Sequence, residues 1–139
     1  SGDLREAAAE LAAAKIPVVV GPLDFGSSLA ELRAPGELSK AGVEIAFATK
    51  SPMRGPLALR LTAAFAVANG LDRKTAFAAL TTIPARLLGL AERIGAIEVG
   101  HDGDLVVLSG DPLDLSSSIR AVVVGGSVVI SAPPVQARP

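Results

Sequence analysis

At 139 residues, half of them hydrophobic and 19% charged, the chain is long enough for one core that buries roughly two-thirds of its unfolded surface, as one domain or part of a larger one. Thirteen Lys and Arg against fourteen Asp and Glu, with no cationic face, argue against nucleic acid as a partner, and four Phe without Trp or Tyr offer no stacking platform for bases or sugars. The lack of Cys removes disulfides, thiolate catalysis and sulfur-ligated zinc but leaves the redox compartment undetermined, with the cytoplasm slightly favoured; no apolar run approaches the ~20 residues of a membrane span, so the chain reads as soluble with no membrane partner.

The opening Ser1-Gly2 carries no initiator Met and no signal-like segment, and reads as a processing point, a tag scar or the start of an excised piece. Asp3 is placed to cap a helix whose apolar side is Leu4, Ala7, Ala8, Leu11 and Ala14, ending near Lys15 because Pro17 lacks the N–H of a continuing helix. "IPVVVG" then predicts a strand without alternation, as in a parallel sheet covered by helices on both faces. After the loop "GPLDFGSS", residues 28–40 predict helix in pieces broken at Pro35-Gly36, and "VEIAFA" (Val43 to Ala48) a second strand. The strand–helix–strand spacing fits a parallel crossover.

From Pro56 to Asn69 the pattern is a helix, with Pro in the tolerated first turn and Gly70 as its stop. Asp72 caps a further helix to about Leu80, and "TIPARLLGL" adds a short one. Near Gly95 the chain changes to short β-prone runs punctuated by Gly, Asp and Pro. Gly125-Gly126, two residues between "AVVV" and "SVVI", is the strongest hairpin signal. The division expected is 1–94 α/β, 95–132 antiparallel β, and a disordered tail over 133–139.

The run "ALTTIPARLLGLAERIGAIEVGHDGDLVVLSGDPL", Ala79 to Leu113, resembles the C-terminal signature of the amidohydrolase superfamily, in particular its imidazolonepropionase-like metal-dependent hydrolases. Its Thr-x-x-Pro-Ala, Leu-Gly-Leu, Arg-Ile-Gly, Asp-Leu-Val-Val-Leu and Gly-Asp-Pro pieces fall in the family's order. "AAAKIPVVVGPL" and "AGVEIAFATKSP" are similar to the segments around the last two barrel strands. The resemblance implies an α/β fold, the C-terminal part of a (β/α)8 barrel followed by strands of a composite β-sandwich. It also implies Zn or another divalent metal and hydrolysis of a non-peptide C–N bond, such as a cyclic amide, or of a dipeptide. Most family metal ligands, His-x-His on the first strand among them, would lie before Ser1, so the chain is expected to be the last third of such a protein.

The family aspartate of the eighth strand belongs to a Thr-Asp-Ser-Pro stretch, which here is Thr49-Lys50-Ser51-Pro52. A protonated Lys50 offers donors and no lone pair, so it neither accepts a proton from water nor attracts a divalent cation. No metal ligand, no cofactor and no metal-dependent turnover are expected of this chain alone. Lys50 at the catalytic position has three functional readings: its charge stands in for a lost metal and binds an anion, or a depressed pKa makes it a base or a Schiff-base nucleophile. A decayed site, or a strand-end lysine reaching water, is the favoured explanation over all three.

Asp24, Ser27 and Ser28, in the loop after the first strand, with Thr49 and Ser51 beside Lys50, are substrate-binding candidates by position, and loop capping accounts for the first three as well. His101 reads as a surface turn residue rather than a ligand. Ser109, His101 and Asp102 or Asp104 hold the ingredients of a triad without a nucleophile elbow, and Asp102, Asp104, Asp111 and Asp114 read as turn formers rather than a calcium loop. Expected partners are a second copy, or a chain supplying the missing barrel strands, and a small-molecule substrate where a full enzyme is rebuilt. The alternative is a non-catalytic interaction module, a pseudoenzyme remnant.

Overall fold

The computed structural model describes residues 2–49 and 57–132. Helix α1 (Gly2–Ala13) leads through a turn into β1 (Val18–Val20), α2 (Leu29–Lys40) and β2 (Ile45–Phe47). Three helices follow, α3 (Leu57–Ala68), α4 (Arg73–Leu80) and α5 (Thr82–Leu87), and then β3 (Leu105–Leu108), β4 (Ile119–Val124) and β5 (Ser127–Ser131). The strands β1 and β2 pair in parallel, Val18 with Ile45 and Val20 with Phe47, across the α2 crossover. The sheet β3-β4-β5 is antiparallel throughout, and Gly125 and Gly126, with φ of 55° and 78°, form the two-residue β4–β5 turn. Positive φ at both turn residues matches the right-handed twist of the strands it joins.

Four expectations need correction. Helix α1 already includes Asp3, which therefore lies in the first turn instead of capping it. Its contact face is narrower than the spacing suggested: Ala8 is buried, Leu11 and Ala12 pack on the core, and Ala7 and Ala14 face water. Helix α2 is continuous through Pro35-Gly36, with both residues buried. A Cβ on Gly36 would sit 3.0 Å from the carbonyl carbon and oxygen of Gly70, so this pair marks where α2 meets the turn after α3 rather than a break. Strand β1 is covered on one face only: Val19 is 60% exposed, whereas Ile45, Ala46 and Phe47 of β2 are all buried. Helices α2 to α5 all contact β2, which explains the asymmetry.

The core joins Leu38 of α2, Val43, Ile45 and Phe47 around β2, Ala63 and Ala66 of α3, Ala76 and Ala79 of α4, and Leu71 from the turn between those two helices. Small alanines on α3 and α4 let the two helices approach each other and the strand closely. Leu113, from the loop between β3 and β4, is the β part's contribution to this cluster. The sheet itself buries little. Leu105, Val106 and Val107 of β3 and Val128, Val129 and Ile130 of β5 are all exposed.

Candidate functional site

Because β1 and β2 are parallel, the segments that follow them emerge at the same end of the sheet. Thr49 follows β2 there, half-buried, and the "GPLDFGSS" loop follows β1. Lys50 and Ser51 lie outside the described residues, as does the tail 133–139. The expected catalytic position is therefore approached from Thr49 without being seen.

The loop after β1 is strongly organised. Its Leu23 N–H donates to Thr62 Oγ1 at 3.1 Å, and the Thr62 hydroxyl donates in turn to the Ala58 carbonyl at 2.7 Å, tying the loop to α3. The Asp24 N–H donates to Ser27 Oγ at 3.1 Å, and Asp24 Oδ1 accepts from the Gly26 N–H at 2.8 Å. Ser28 is the N-cap of α2: the Glu31 N–H donates to its Oγ at 3.3 Å, and Glu31 Oε2 accepts from both the Ser28 N–H and its hydroxyl at 2.7 Å. The Ser28 hydroxyl bond is the main reason the Glu31 carboxyl is held below its usual range. Asp24, Ser27 and Ser28 thus shape a turn and a capping box. What this turn presents is Phe25, 89% exposed, its ring edge-on to Phe65 of α3 at 5.0 Å between centroids.

The other candidates are engaged elsewhere. His101 is more enclosed than a surface turn residue, with 11% of its side chain exposed, and its Nδ1 lies 3.2 Å from the Ala96 carbonyl. Asp102 pairs with Arg93 at 2.7 Å, Asp104 accepts from the Gly125 N–H at 2.7 Å, and Ser109 Oγ accepts from the Ser118 N–H at 3.0 Å. These bonds lead away from one another, so the triad ingredients do not form a relay. Asp111 and Asp114 accept from the N–H groups of Leu113 and Ser116, as turn-forming aspartates do, and these bonds are the leading cause of their lowered pKa values.

Among the described residues no three His, Cys, Asp or Glu side chains gather closely enough to hold a metal ion. This donor set does not fit the divalent metal that the resemblance implies. A cleft of about 490 Å³ does exist, between α4 and the segments around Gly95 and Asp111, lined by Arg73, Phe77, Thr81, Gly95, Asp111 and Pro112. It contains none of the expected site residues. Arg60 and Thr62 escaped sequence reasoning as well, although a lone cation and a lone hydroxyl in the otherwise apolar "LALRLTAAFAVA" are the signal that marks them.

The sequence profile described as the amidohydrolase family matches residues 6–130. This chain belongs to that family. It is 32% identical over 98 residues to an amidohydrolase, tasK, of Hapsidospora irregularis, covering 70% of this chain and 10% of that protein. It is 44% identical over 70 residues to the imidazolonepropionase of Maricaulis maris, covering 48% of this chain and 17% of the relative. The crystal structure of an amidohydrolase from Thermotoga maritima superposes with a TM-score of 0.81 at 38% identity, over 94% of this chain and 35% of that one. A zinc-bound adenosine deaminase from Xanthomonas campestris is similar at a TM-score of 0.61 and 28% identity, over 88% of this chain and 34% of its own. The amidohydrolase-family chain thus spans about a third or less of the length of these relatives. No helix among its described residues is long and apolar enough to cross a membrane.

Proposed function

We propose that this chain is the C-terminal portion of an amidohydrolase, residues 1–94 supplying the last two strand–helix units of a (β/α)8 barrel and residues 95–132 part of a β-sandwich. The complete hydrolase acts on a non-peptide C–N bond, of the cyclic-amide kind suggested by the name of the imidazolonepropionase relative. The observation that carries this reading is the superposition of 94% of this chain on 35% of the Thermotoga maritima amidohydrolase. Exposed Val19 and Phe25 on the α/β part, and the exposed valines of β3 and β5, support it, since apolar surface of this extent calls for covering. A chain supplying the missing strands, or a second copy, would provide that cover.

In this reading Lys50 stands where the family carries an aspartate, and the chain alone has no turnover. An ammonium has no lone pair to offer a metal or a water proton while it stays protonated. The test has two arms. Purified chain is equilibrated with zinc, dialysed and assayed for bound metal and for hydrolysis of cyclic amides; neither stoichiometric zinc nor turnover is expected. Reading the coding sequence upstream is expected to reveal an in-frame His-x-His after a strand. Zinc held at one per chain with measurable turnover would overturn the inactivity, and a genuine start codon close upstream of Ser1, with no His-x-His before it, would overturn the longer hydrolase.

A further inference from the structure

Helices α1 to α5 make no extensive contact with β3, β4 or β5 themselves. Among the described residues, apart from the connection 88–104, the sheet is tied to the helices chiefly by the loop between β3 and β4. Within that loop the N–H groups of Leu113, Asp114, Ser116 and Ser117 all find acceptors on Asp111 or Asp114, and the Ser118 N–H finds Ser109 Oγ. Three carbonyls of the loop, that of Asp114 already taking the Ser117 N–H, also accept from one side chain. Arg60 of α3 donates from Nε to the Pro112 carbonyl at 2.8 Å and from Nη2 to the Asp114 carbonyl at 2.8 Å. Both of its terminal nitrogens lie 3.2 Å from the Ser117 carbonyl. Beside this fork, Leu113 is buried in the core and Arg73 pairs with Asp111.

We propose that Arg60 and the Asp111–Ser117 loop form a latch, and that releasing it lets the loop and β3-β4-β5 open from the helical layer as one unit. The physical case is an imbalance. The strands bury too little apolar surface to hold themselves against the helices, since all five residues of β5 and three of the four in β3 are exposed. A guanidinium has a rigid fan of donors that serves three acceptors at once, and charge-assisted bonds are roughly twice as strong as neutral ones. Regions with few buried contacts are those that open locally below the global transition. Arg60 is thus a positioning residue. Thr62, about 200° further round the same helix, holds the loop after β1, so α3 carries the latch on one flank and the candidate substrate loop on the other.

Amide hydrogen exchange on the intact chain tests this. In Arg60→Leu the amides of residues 105–131 are expected to exchange faster as a group, by roughly tenfold or more, with those of α2, α3, α4 and β2 unchanged. Arg60→Lys, a point charge that cannot serve three carbonyls, is expected to fall between. Arg73→Ala, which removes only an exposed pair, is expected to change little. Unaltered exchange over 105–131 in Arg60→Leu, or equal acceleration along the whole chain, overturns the latch. Should that variant not fold, exchange of the unmodified chain in low urea decides: residues 105–131 opening together ahead of the helices supports the proposal, and a single opening for the whole chain overturns it.

Discussion

Thr62 shows how much one hydroxyl can organise. It is fully buried, accepts from the Leu23 N–H and donates to the Ala58 carbonyl, so both its hydrogen-bonding roles are used inside the protein. Thr62→Val keeps the shape and removes the acceptor, leaving the Leu23 N–H without its partner in an apolar surrounding. An orphaned buried donor costs about 1–3 kcal/mol, so the urea midpoint is expected to fall with the m-value unchanged. Thr62→Ser, which retains the hydroxyl, is expected to fall less; equal losses would show that the methyl, not the bond, matters at this position. The lone hydroxyl in an apolar helix marks position 62 in the sequence, but what it binds was not legible, because Leu23 lies 39 residues away. Local signals fared better. Asp72 caps α4 as its position before a helical pattern suggests, accepting from the Thr75 N–H at 2.9 Å, because a cap is decided within four residues.

Elements were legible where local chemistry acts alone and misread where tertiary contact overrides it. The Gly125-Gly126 hairpin needed only the turn's own φ angles, and the two parallel strands needed only their apolar runs and the length between them. Pro35-Gly36 gave a local signal to break α2, yet Leu38 and Pro35 bury themselves on the core, and the missing side chain at Gly36 lets the helix lie against the Gly70–Leu71 backbone. Two physical terms therefore oppose each other in Gly36→Ala. Helix propensity favours Ala by about 0.5–1 kcal/mol, whereas the new Cβ would meet backbone atoms at 3.0 to 3.1 Å that cannot rotate away. Overpacking costs about 1–3 kcal/mol, so the steric term prevails and Gly36→Ala is expected to lower the thermal midpoint. An increase would mean that α2 and the Gly70 turn can move apart freely.

Across the whole molecule, the succession of a parallel α/β part and an antiparallel β part was legible because period and turn chemistry change together near Gly95. The joint between the parts was not, since it depends on Arg60 reaching loop carbonyls 52 to 57 residues away. Four carboxylates, two of them in the loop at that joint, give the molecule an acid sensitivity with a definite sign. Asp111 and Asp114 in the loop have their pKa values lowered, chiefly by the Leu113 and Ser116 N–H groups, as does Asp72 by the Thr75 N–H and Glu31 by the Ser28 hydroxyl. Each of these groups binds a proton more weakly when folded than when unfolded. Below the ordinary carboxylate range of about 4 the unfolded chain therefore takes up more protons, and stability falls as pH falls towards the folded-state values. Between pH 7 and 5 these four groups are ionised in both states and contribute no slope. Urea unfolding at stepped pH is expected to give a plateau down to about pH 5 and a decline below 4. In Asp111→Asn the decline is expected to be shallower, because one of the four linked protons is gone. All four carboxylates face solvent, so added salt should weaken the part owed to Arg73 and Arg60 while leaving the part owed to backbone N–H groups. Stability that rises on acidification from pH 5 to 3 would reverse the sign of this linkage, and with it the role of the loop aspartates in shaping the turn that Arg60 grips.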